Sequence, residues 1–422
     1  MQYQGLLGVA AVIAVCFVMS DNRRRIDWRL VIWGMSLQFA FAALVILSKP
    51  GQAAFVYADA AVNKLLSFSK QGLQMLLTPF GQPEIDPALI NLGFFALPTV
   101  IFFSALLSGL YHLGIMQQVV RGMAWVMQRT MKTSGAETLS VTGDIFVGQT
   151  EAPLLIKPFI ESMTRSELNT VMCGGFATIA GSVIGLYVSW LDGKVPNIAG
   201  HLMAASVMSA PAAILISKII VPEVDTPVTS GTLNISSEKS AGNLIEAIGD
   251  GATDGMRLLL NIAAMLLAFV SIFAMLNAGL GWIGELLAGQ GVSPSITSLF
   301  SLEAILGKIF QPLAWTLGVT WQEAETLGRL LGKKLVLTEL VAYQEFGTYA
   351  PGEKFSVRSG IIASYALCGF ANFASIGIQL GGTGAMAPSR KKDLASLAMR
   401  AMIGGALTTC MTAAVAGLFI KV

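Results

Sequence analysis

The stretch Gly148-Gln149-Thr150-Glu151-Ala152-Pro153 places a polar cluster that contains a carboxylate inside an otherwise apolar chain. The chain has 422 residues, of which 54% are hydrophobic and 12% are charged. A carboxylate in hydrocarbon is costly unless it faces a water-filled cavity, a cation or a polar ligand. A second acid has similar surroundings at Leu337-Thr338-Glu339-Leu340. Two such interruptions, one in each half of a membrane chain, predict the binding site of a transporter.

The composition of the chain is that of a polytopic all-α membrane protein. A mean hydropathy of +0.68 with so few charges excludes a soluble globular protein. The runs that are long enough to cross about 30 Å of hydrocarbon include Leu30–Leu47, Phe94–Tyr111, Ile198–Ile220, Met256–Leu276 and Ala401–Ile420. A net charge of +2 indicates no nucleic-acid partner.

Basic residues set the expected topology, because cytoplasmic connections are rich in lysine and arginine. Arg23-Arg24-Arg25 and Arg390-Lys391-Lys392 predict two cytoplasmic connections, and Arg121, Arg129 and Lys132 form a further basic group. An even number of crossings must separate the two connections. Eight helices satisfy this in the inner membrane, with both termini periplasmic. The spans are predicted at 4–20, 28–48, 93–127, 167–190, 198–220, 255–280, 358–382 and 396–420.

The regions between these spans have their own patterns. Residues 53–80 mix polar and apolar side chains and predict an amphipathic helix at the membrane interface. Residues 135–166 and 299–346 are too polar and too broken for one clean crossing, which favours two re-entrant hairpins shielded by protein. Residues 222–242 are rich in Ser, Thr, Pro and charge and predict a cytoplasmic loop between two halves.

An internal repeat supports the two halves. Gly175-Phe176-Ala177-Thr178-Ile179-Ala180-Gly181 is similar to Gly369-Phe370-Ala371-Asn372-Phe373-Ala374-Ser375. Each stretch follows one predicted hairpin, and the predicted topology runs the two helices in opposite directions. Inverted repeats of this kind hold their binding site at the midplane between the halves.

The polar residues of these motifs indicate the chemistry of the ligand. Thr178, Asn372 and Ser375 join Gln149, Thr150, Glu151 and Glu339 in a hydrogen-bonding set that suits a neutral solute with hydroxyl or amide groups. The core motifs contain no arginine or lysine, which argues against an anionic substrate. The alternative for each polar residue is a helix–helix hydrogen bond. Lys333-Lys334 is interpreted as a solvated or headgroup-facing pair.

Two other function classes were weighed against a transporter. An intramembrane enzyme needs a nucleophile with a base or a set of metal ligands, but the sequence has no His-Glu-x-x-His or Gly-x-Ser-x-Gly pattern. A channel needs a continuous pore lined by rings of charges or carbonyl groups. Neither class explains the paired polar motifs, so the chain is expected not to be an enzyme.

The sequence resembles the concentrative nucleoside transporter family over essentially its whole length. The resemblance is carried by three motifs, Val147-Gly148-Gln149-Thr150-Glu151-Ala152-Pro153, Thr338-Glu339-Leu340-Val341-Ala342-Tyr343 and Cys368-Gly369-Phe370-Ala371-Asn372. It implies a homotrimer in which an elevator-type transport domain moves against a trimeric scaffold. The implied division is a scaffold part at 1–127, a first transport repeat at 128–220, a loop at 221–242, a scaffold helix within 243–298 and a second transport repeat at 299–422.

The resemblance also implies roles for individual residues. The first hairpin, with Gly148, Gln149, Thr150 and Glu151, should address the nucleobase, and Val183 should pack against it. Glu339, Asn372 and Ser375 should address the ribose hydroxyls, beside Phe370. The implied substrates are nucleosides such as uridine, cytidine and adenosine, and no cofactor is expected.

The implied cation site departs from the sodium-coupled pattern of the family. It corresponds to Asp144, Val147, Thr178 and Ile179, where Asp144 replaces an asparagine and Thr178 a serine. The Asp144 carboxylate can bind sodium or carry a proton. The sequence therefore predicts cation-coupled nucleoside symport into the cell, with the proton slightly preferred as coupling ion and sodium as the alternative.

Overall fold

The computed structural model describes residues 3–79, 85–230, 242–297 and 299–420, and within them it contains helices and no strands. The first part of the chain forms α1 (Gln4–Met19), α2 (Trp28–Ala42, continued by a π-helix to Leu47), α3 (Lys49–Leu77), α4 (Thr99–His112), α5 (Ile115–Met131), α6 (Gly135–Gly143), α7 (Arg165–Ala177), α8 (Gly181–Leu191) and α9 (Ile198–Ile220). A 3₁₀ helix at Ala152–Ser162 lies between α6 and α7.

The second part forms α10 (Leu244–Gly289), α11 (Pro294–Thr297), α12 (Leu302–Thr316), α13 (Trp321–Val336), α14 (Glu339–Phe346), α15 (Val357–Leu367), α16 (Phe373–Met386) and α17 (Lys391–Phe419). Half of the predicted loop at 221–242 lies outside the described residues, which leave out 231–241.

Six helical stretches of the described chain are long and apolar enough to cross a membrane. They are Trp28–Leu47, Gly93–His112, Arg165–Leu191, Ile198–Ile220, Leu244–Gly289 and Pro388–Phe419, and Gln4–Met19 is a shorter apolar helix. The predicted span 358–382 is absent from this set because it is divided into α15 and α16. The count of eight spans stays a prediction.

Two predicted spans differ in length from the helices that form. The span 93–127 is two helices, because Gly114 has φ +80° and ends the run of α4 before α5 begins. This left-handed conformation favours glycine, which has no Cβ. The span 255–280 lies within α10, whose 46 residues extend about 69 Å at 1.5 Å per residue.

The predicted interfacial segment forms one amphipathic helix. α3 buries Phe55, Val62, Leu66 and Leu73, which are seven, four and seven residues apart and therefore lie on one face. Its first residue, Lys49, lies four residues before the predicted start.

The core of the molecule consists of α7, α8, α9, α15 and the part of α17 at 404–417, whose side chains are almost all buried. Small residues allow these helices to approach closely, as where Gly405 of α17 faces Phe176 of α7. A hydrogen bond of 3.0 Å from the Gln38 amide to the Thr412 hydroxyl joins α2 to α17. The two interrupted helices that carry the predicted motifs belong to this core.

Candidate functional site

The two halves of the internal repeat meet where their helices are broken. The first break separates α7 from α8 at residues 178–180, and the second separates α15 from α16 at residues 368–372. The backbone N–H of Phe370 donates to the carbonyl of Thr178 at 3.2 Å, so each break supplies a partner to the other. Backbone groups freed by a broken helix are tolerated in a membrane protein when protein shields them.

Glu339 lies at the centre of a buried hydrogen-bonding cluster. It is the first residue of α14 and is 4% exposed. Its Oε1 accepts a hydrogen bond from the Tyr187 hydroxyl at 2.9 Å, and its Oε2 accepts one from the Asn372 amide at 2.9 Å. Asn372 caps α16 by accepting from the N–H of Ser375 at 2.8 Å. The predicted ribose group Glu339, Asn372 and Ser375 is therefore brought together.

The tip of the first predicted hairpin contacts α16. The Gln379 amide donates to Gln149 Oε1 at 3.0 Å and to the carbonyl of Met172 at 3.1 Å. Gly382 of the same helix lies against the Thr150 side chain. Because Asn372 caps the start of α16, this one helix connects the tip residues to the Glu339 cluster.

The remaining tip residues are held by local contacts. The Thr150 hydroxyl donates to Glu151 Oε2 at 3.0 Å. Gly148 lies close to this carboxylate, because a Cβ built at this position would lie 2.5 Å from the same oxygen at the end of the Glu151 side chain. Val183 is 2% exposed on α8, and Tyr187 follows it by four residues on the same helical face. Phe370 is half-buried.

The candidate cation residues gather beside α7. Asp144 is 1% exposed, and among the described residues neither of its carboxylate oxygens has a hydrogen-bond partner. A Cβ on Gly174 would lie 2.9 Å from Asp144 Oδ2, and the Thr178 hydroxyl donates to the carbonyl of Gly174 at 3.0 Å. Val147 is half-buried and Ile179 is fully buried.

These residues fit a small hard cation. A buried carboxylate without a partner is costly, and a cation or a proton relieves that cost. Hard cations prefer oxygen ligands, and the Asp144 carboxylate and the Thr178 hydroxyl are side-chain oxygens of this kind. The described residues hold no group of three or more His, Cys, Asp or Glu side chains that suits a transition metal.

Two residues of the site, Tyr187 and Gln379, were not predicted from the sequence. A signal for Gln379 was present, since Asn372, Ser375 and Gln379 recur at helical spacing and form a buried polar stripe on α16. Tyr187 follows Val183 by one turn, which was the available sign that it shares a face with the site.

The interpretation of Lys333-Lys334 as a solvated or headgroup-facing pair is wrong for Lys334. Lys334 is 2% exposed, and its ammonium group donates to the carbonyl of Ala366 at 3.0 Å and to the Thr409 hydroxyl at 2.8 Å. Lys333 forms an ion pair of 2.6 Å with Glu345. The two lysines are neighbours in the sequence but have different surroundings, because their side chains leave α13 in different directions.

Known proteins are similar to this chain in sequence and in architecture. Three family models match the chain: "Na+ dependent nucleoside transporter N-terminus" at residues 7–80, "Nucleoside recognition" at 93–194 and "Na+ dependent nucleoside transporter C-terminus" at 201–417. Sodium/nucleoside cotransporter 1 of Mus musculus is 40% identical over 432 residues, which cover 99% of this chain and 64% of the mouse protein. The chain thus spans less than two thirds of that relative.

A bacterial relative is matched over its whole length. The uncharacterized transporter YutK of Bacillus subtilis is 41% identical over 417 residues, which cover 99% of both proteins. The solved structure of CNTnw in an inward-facing substrate-bound state is 37% identical, with a TM-score of 0.87 over 99% of this chain and 98% of that one. A CNTnw variant in an intermediate state is 36% identical, with a TM-score of 0.89 over the full length of both chains. The chain is therefore a multi-pass membrane protein that belongs to the concentrative nucleoside transporter family.

Proposed function

We propose that the protein is a cation-coupled symporter that moves nucleosides into the cell. The observation that carries the proposal is the buried Glu339 carboxylate, which shares Asn372 with the start of α16 and lies in a core otherwise made of apolar helices. A buried carboxylate with an adjacent amide suits the hydroxyl groups of a ribose, because each of its oxygens can accept more than one hydrogen bond. The named relatives support nucleosides as the substrate class.

The two ends of the nucleoside would be addressed by different elements. Glu339, Asn372 and Ser375 bind the ribose, and Phe370 packs beside it. Gln149, Thr150 and Glu151, which follow Gly148 at the tip, bind the nucleobase against Val183. The Gln149 amide both donates and accepts, so it can satisfy the edge of either uracil or adenine.

Sodium is the coupling ion that the family supports, whereas the slight preference for a proton in the sequence analysis gains no support from the comparisons. We assign the ion to the site of Asp144, Val147, Thr178 and Ile179, with the Asp144 carboxylate as its charged ligand. At a membrane potential of about 100 mV, one co-transported charge supplies about 2.3 kcal/mol, or roughly 40-fold accumulation.

Membership of a transporter family confirms the prediction that the chain is not an enzyme. The proposal keeps the homotrimer, the two re-entrant hairpins, the elevator movement and the inner-membrane location with periplasmic termini. A channel is the second candidate class. Accumulation of nucleoside against its gradient distinguishes a symporter from a channel.

Uptake into liposomes tests the proposal. The purified full chain is reconstituted, and labelled uridine and adenosine are supplied under a sodium gradient or a proton gradient imposed separately. We expect accumulation above equilibrium with sodium and little effect of pH. Accumulation driven by protons alone would reassign the ion, and equilibration without accumulation would indicate a channel.

A variant at Glu339 tests the substrate site directly. Glu339→Ala should nearly abolish uridine binding in calorimetry, because sites built to bond a hydroxyl depend on each partner. Glu325→Ala is the control, since Glu325 forms an exposed pair with Lys308. Wild-type binding by Glu339→Ala would remove Glu339 from the site.

A further inference from the structure

A cavity lies apart from the helix breaks. Its volume is about 550 Å³, and it lies between the segment before α2, α5, the start of α6 and the end of α9. Small-molecule sites commonly measure about 300–1,000 Å³. None of the residues assigned to the nucleoside or to the cation lines this cavity.

The acidic side chains that line the cavity already have ion-pair or hydrogen-bond partners. Lys218 forms ion pairs of 2.8 Å with Glu137 and 3.0 Å with Glu223, so these two carboxylates share one cation. The Asp27 carboxylate caps α2 by accepting from the backbone N–H groups of Arg29 and Leu30.

Three cations of the wall have no such partner. Within the described part of the chain, no carboxylate lies within ion-pair distance of Arg25, Arg129 or Lys132. All three side chains are exposed. Arg129 lies over the ring of Trp125 at 5.7 Å, and this tryptophan is 59% exposed. The open side of the cavity is therefore positively charged and has an aromatic rim.

We propose that this cavity binds a phosphate-bearing anion through Arg25, Arg129 and Lys132. Guanidinium groups match phosphate oxygens in two-pronged pairs, and lysine adds a point charge. Basic residues at the side of the membrane predicted to be cytoplasmic meet anionic lipids there, and tryptophan prefers the headgroup level. The phosphate has two possible sources, an anionic lipid headgroup and free phosphate.

The position of the cavity gives the anion a structural consequence. Arg25 lies between α1 and α2, and Arg129 lies near the end of α5. Lys132 directly precedes the turn into α6. In the predicted division at 127/128, Arg25 belongs to the scaffold part and Lys132 to the first transport repeat. A bound phosphate would therefore connect the two parts.

Native mass spectrometry of the purified full chain tests this site. The protein is titrated with phosphatidylglycerol, with phosphatidylcholine and with inorganic phosphate. The cavity variant is R25Q/R129Q/K132Q, and the matched control is R24Q/K157Q/K392Q, which removes three exposed charges outside the cavity. The variant R25K/R129K/K132R keeps the charges, and thermal melting verifies that all three variants are folded.

We expect phosphatidylglycerol to bind the wild type, the control and the charge-retaining variant. Its affinity for the cavity variant should be lower by about tenfold or more. Phosphatidylcholine should be retained by none of them. If inorganic phosphate also binds, and is lost in the cavity variant but not in the other two, free phosphate is the ligand. If inorganic phosphate does not bind, the ligand is the lipid headgroup. Equal losses in the cavity variant and the control, loss in the charge-retaining variant, or equal retention of both lipids would overturn the proposal.

Discussion

Both carboxylate oxygens of Glu339 accept one hydrogen bond each, from Tyr187 and from Asn372. Each oxygen keeps a free lone pair, so these bonds orient the carboxylate without exhausting it. Tyr187 is fully buried and stacks on Tyr343 with ring centroids 4.4 Å apart, which holds its hydroxyl in place. We therefore regard Tyr187 as a positioning residue for Glu339.

Removing this hydroxyl should weaken nucleoside binding. A hydrogen bond to a charged group is worth about 1.5–3 kcal/mol, and we expect Tyr187→Phe to lower uridine affinity about tenfold, measured by calorimetry. Tyr343→Phe is the control, because its hydroxyl donates to the carbonyl of Ser364 at 2.6 Å and not to Glu339. Equal losses in both variants would mean that the tyrosine pair acts only through packing.

Gln379 determines which way the Gln149 amide faces. Its Nε2 donates to Gln149 Oε1, which leaves the Gln149 NH₂ group available for a ligand. Gln379→Met should change the ratio of uridine to adenosine uptake several-fold, because the amide is then free to turn over. Gln311→Met is the control, because it also removes the amide of a buried glutamine. The Gln311 amide donates to the carbonyl of Trp321, in another part of the molecule. An unchanged ratio in Gln379→Met would contradict this role.

At the scale of the helices, the break between α15 and α16 depends on close backbone approach. A Cβ on Gly369 would lie 2.6 Å from Thr409 Cγ2 and 2.9 Å from the carbonyl of Phe176. These distances are shorter than real Cβ contacts, and one of the neighbours is backbone. The break of one repeat thus packs directly on α7 of the other.

The corresponding substitution should destabilise the fold. We expect Gly369→Ala to cost about 1–3 kcal/mol as overpacking and to lower the melting midpoint in detergent. Gly377 lies within α16 with open space around it, so Gly377→Ala should be neutral or should stabilise by up to about 1 kcal/mol. The same midpoint for both variants would show that the break has room to adjust.

At the scale of the whole molecule, one buried ammonium group joins three elements. Lys218, near the end of α9, pairs with Glu137 of α6 and donates to the Ser166 hydroxyl of α7 at 3.0 Å. Its side chain is 6% exposed and that of Glu137 is 1% exposed. The cluster therefore fixes the start of the first predicted hairpin against the core.

Loss of this cation should be costly. Removing one partner of a buried ion pair leaves an uncompensated charge, at a cost of about 3–5 kcal/mol, so Lys218→Met should lower the melting midpoint strongly. Lys308→Met removes a cation from the exposed pair with Glu325, where about 0–1 kcal/mol is expected. A small shift for both variants would indicate that water reaches Lys218.

Hydropathy does not define helix ends, so some helices differ in length from the predicted membrane spans. The predicted span 255–280 stops where Asp250, Thr253 and Asp254 reduce the apolar character, yet α10 continues through them. Asp254 and Arg257 are exposed, so their charges cost nothing in a helix that extends beyond an apolar segment. By contrast, Gly114 was visible in the sequence as a potential break.

The sequence by itself determined the class of the protein, the paired polar motifs and the membership of a transporter family, because long apolar runs and glycine-rich interruptions are local properties of the chain. Only the tertiary structure decided that Tyr187 meets Glu339 across 152 residues and that Gln379 meets Gln149 across 230. It also decided that Lys334 is buried against Ala366 and Thr409. Such contacts depend on which faces of distant helices pack together, and no local pattern of spacing encodes that choice.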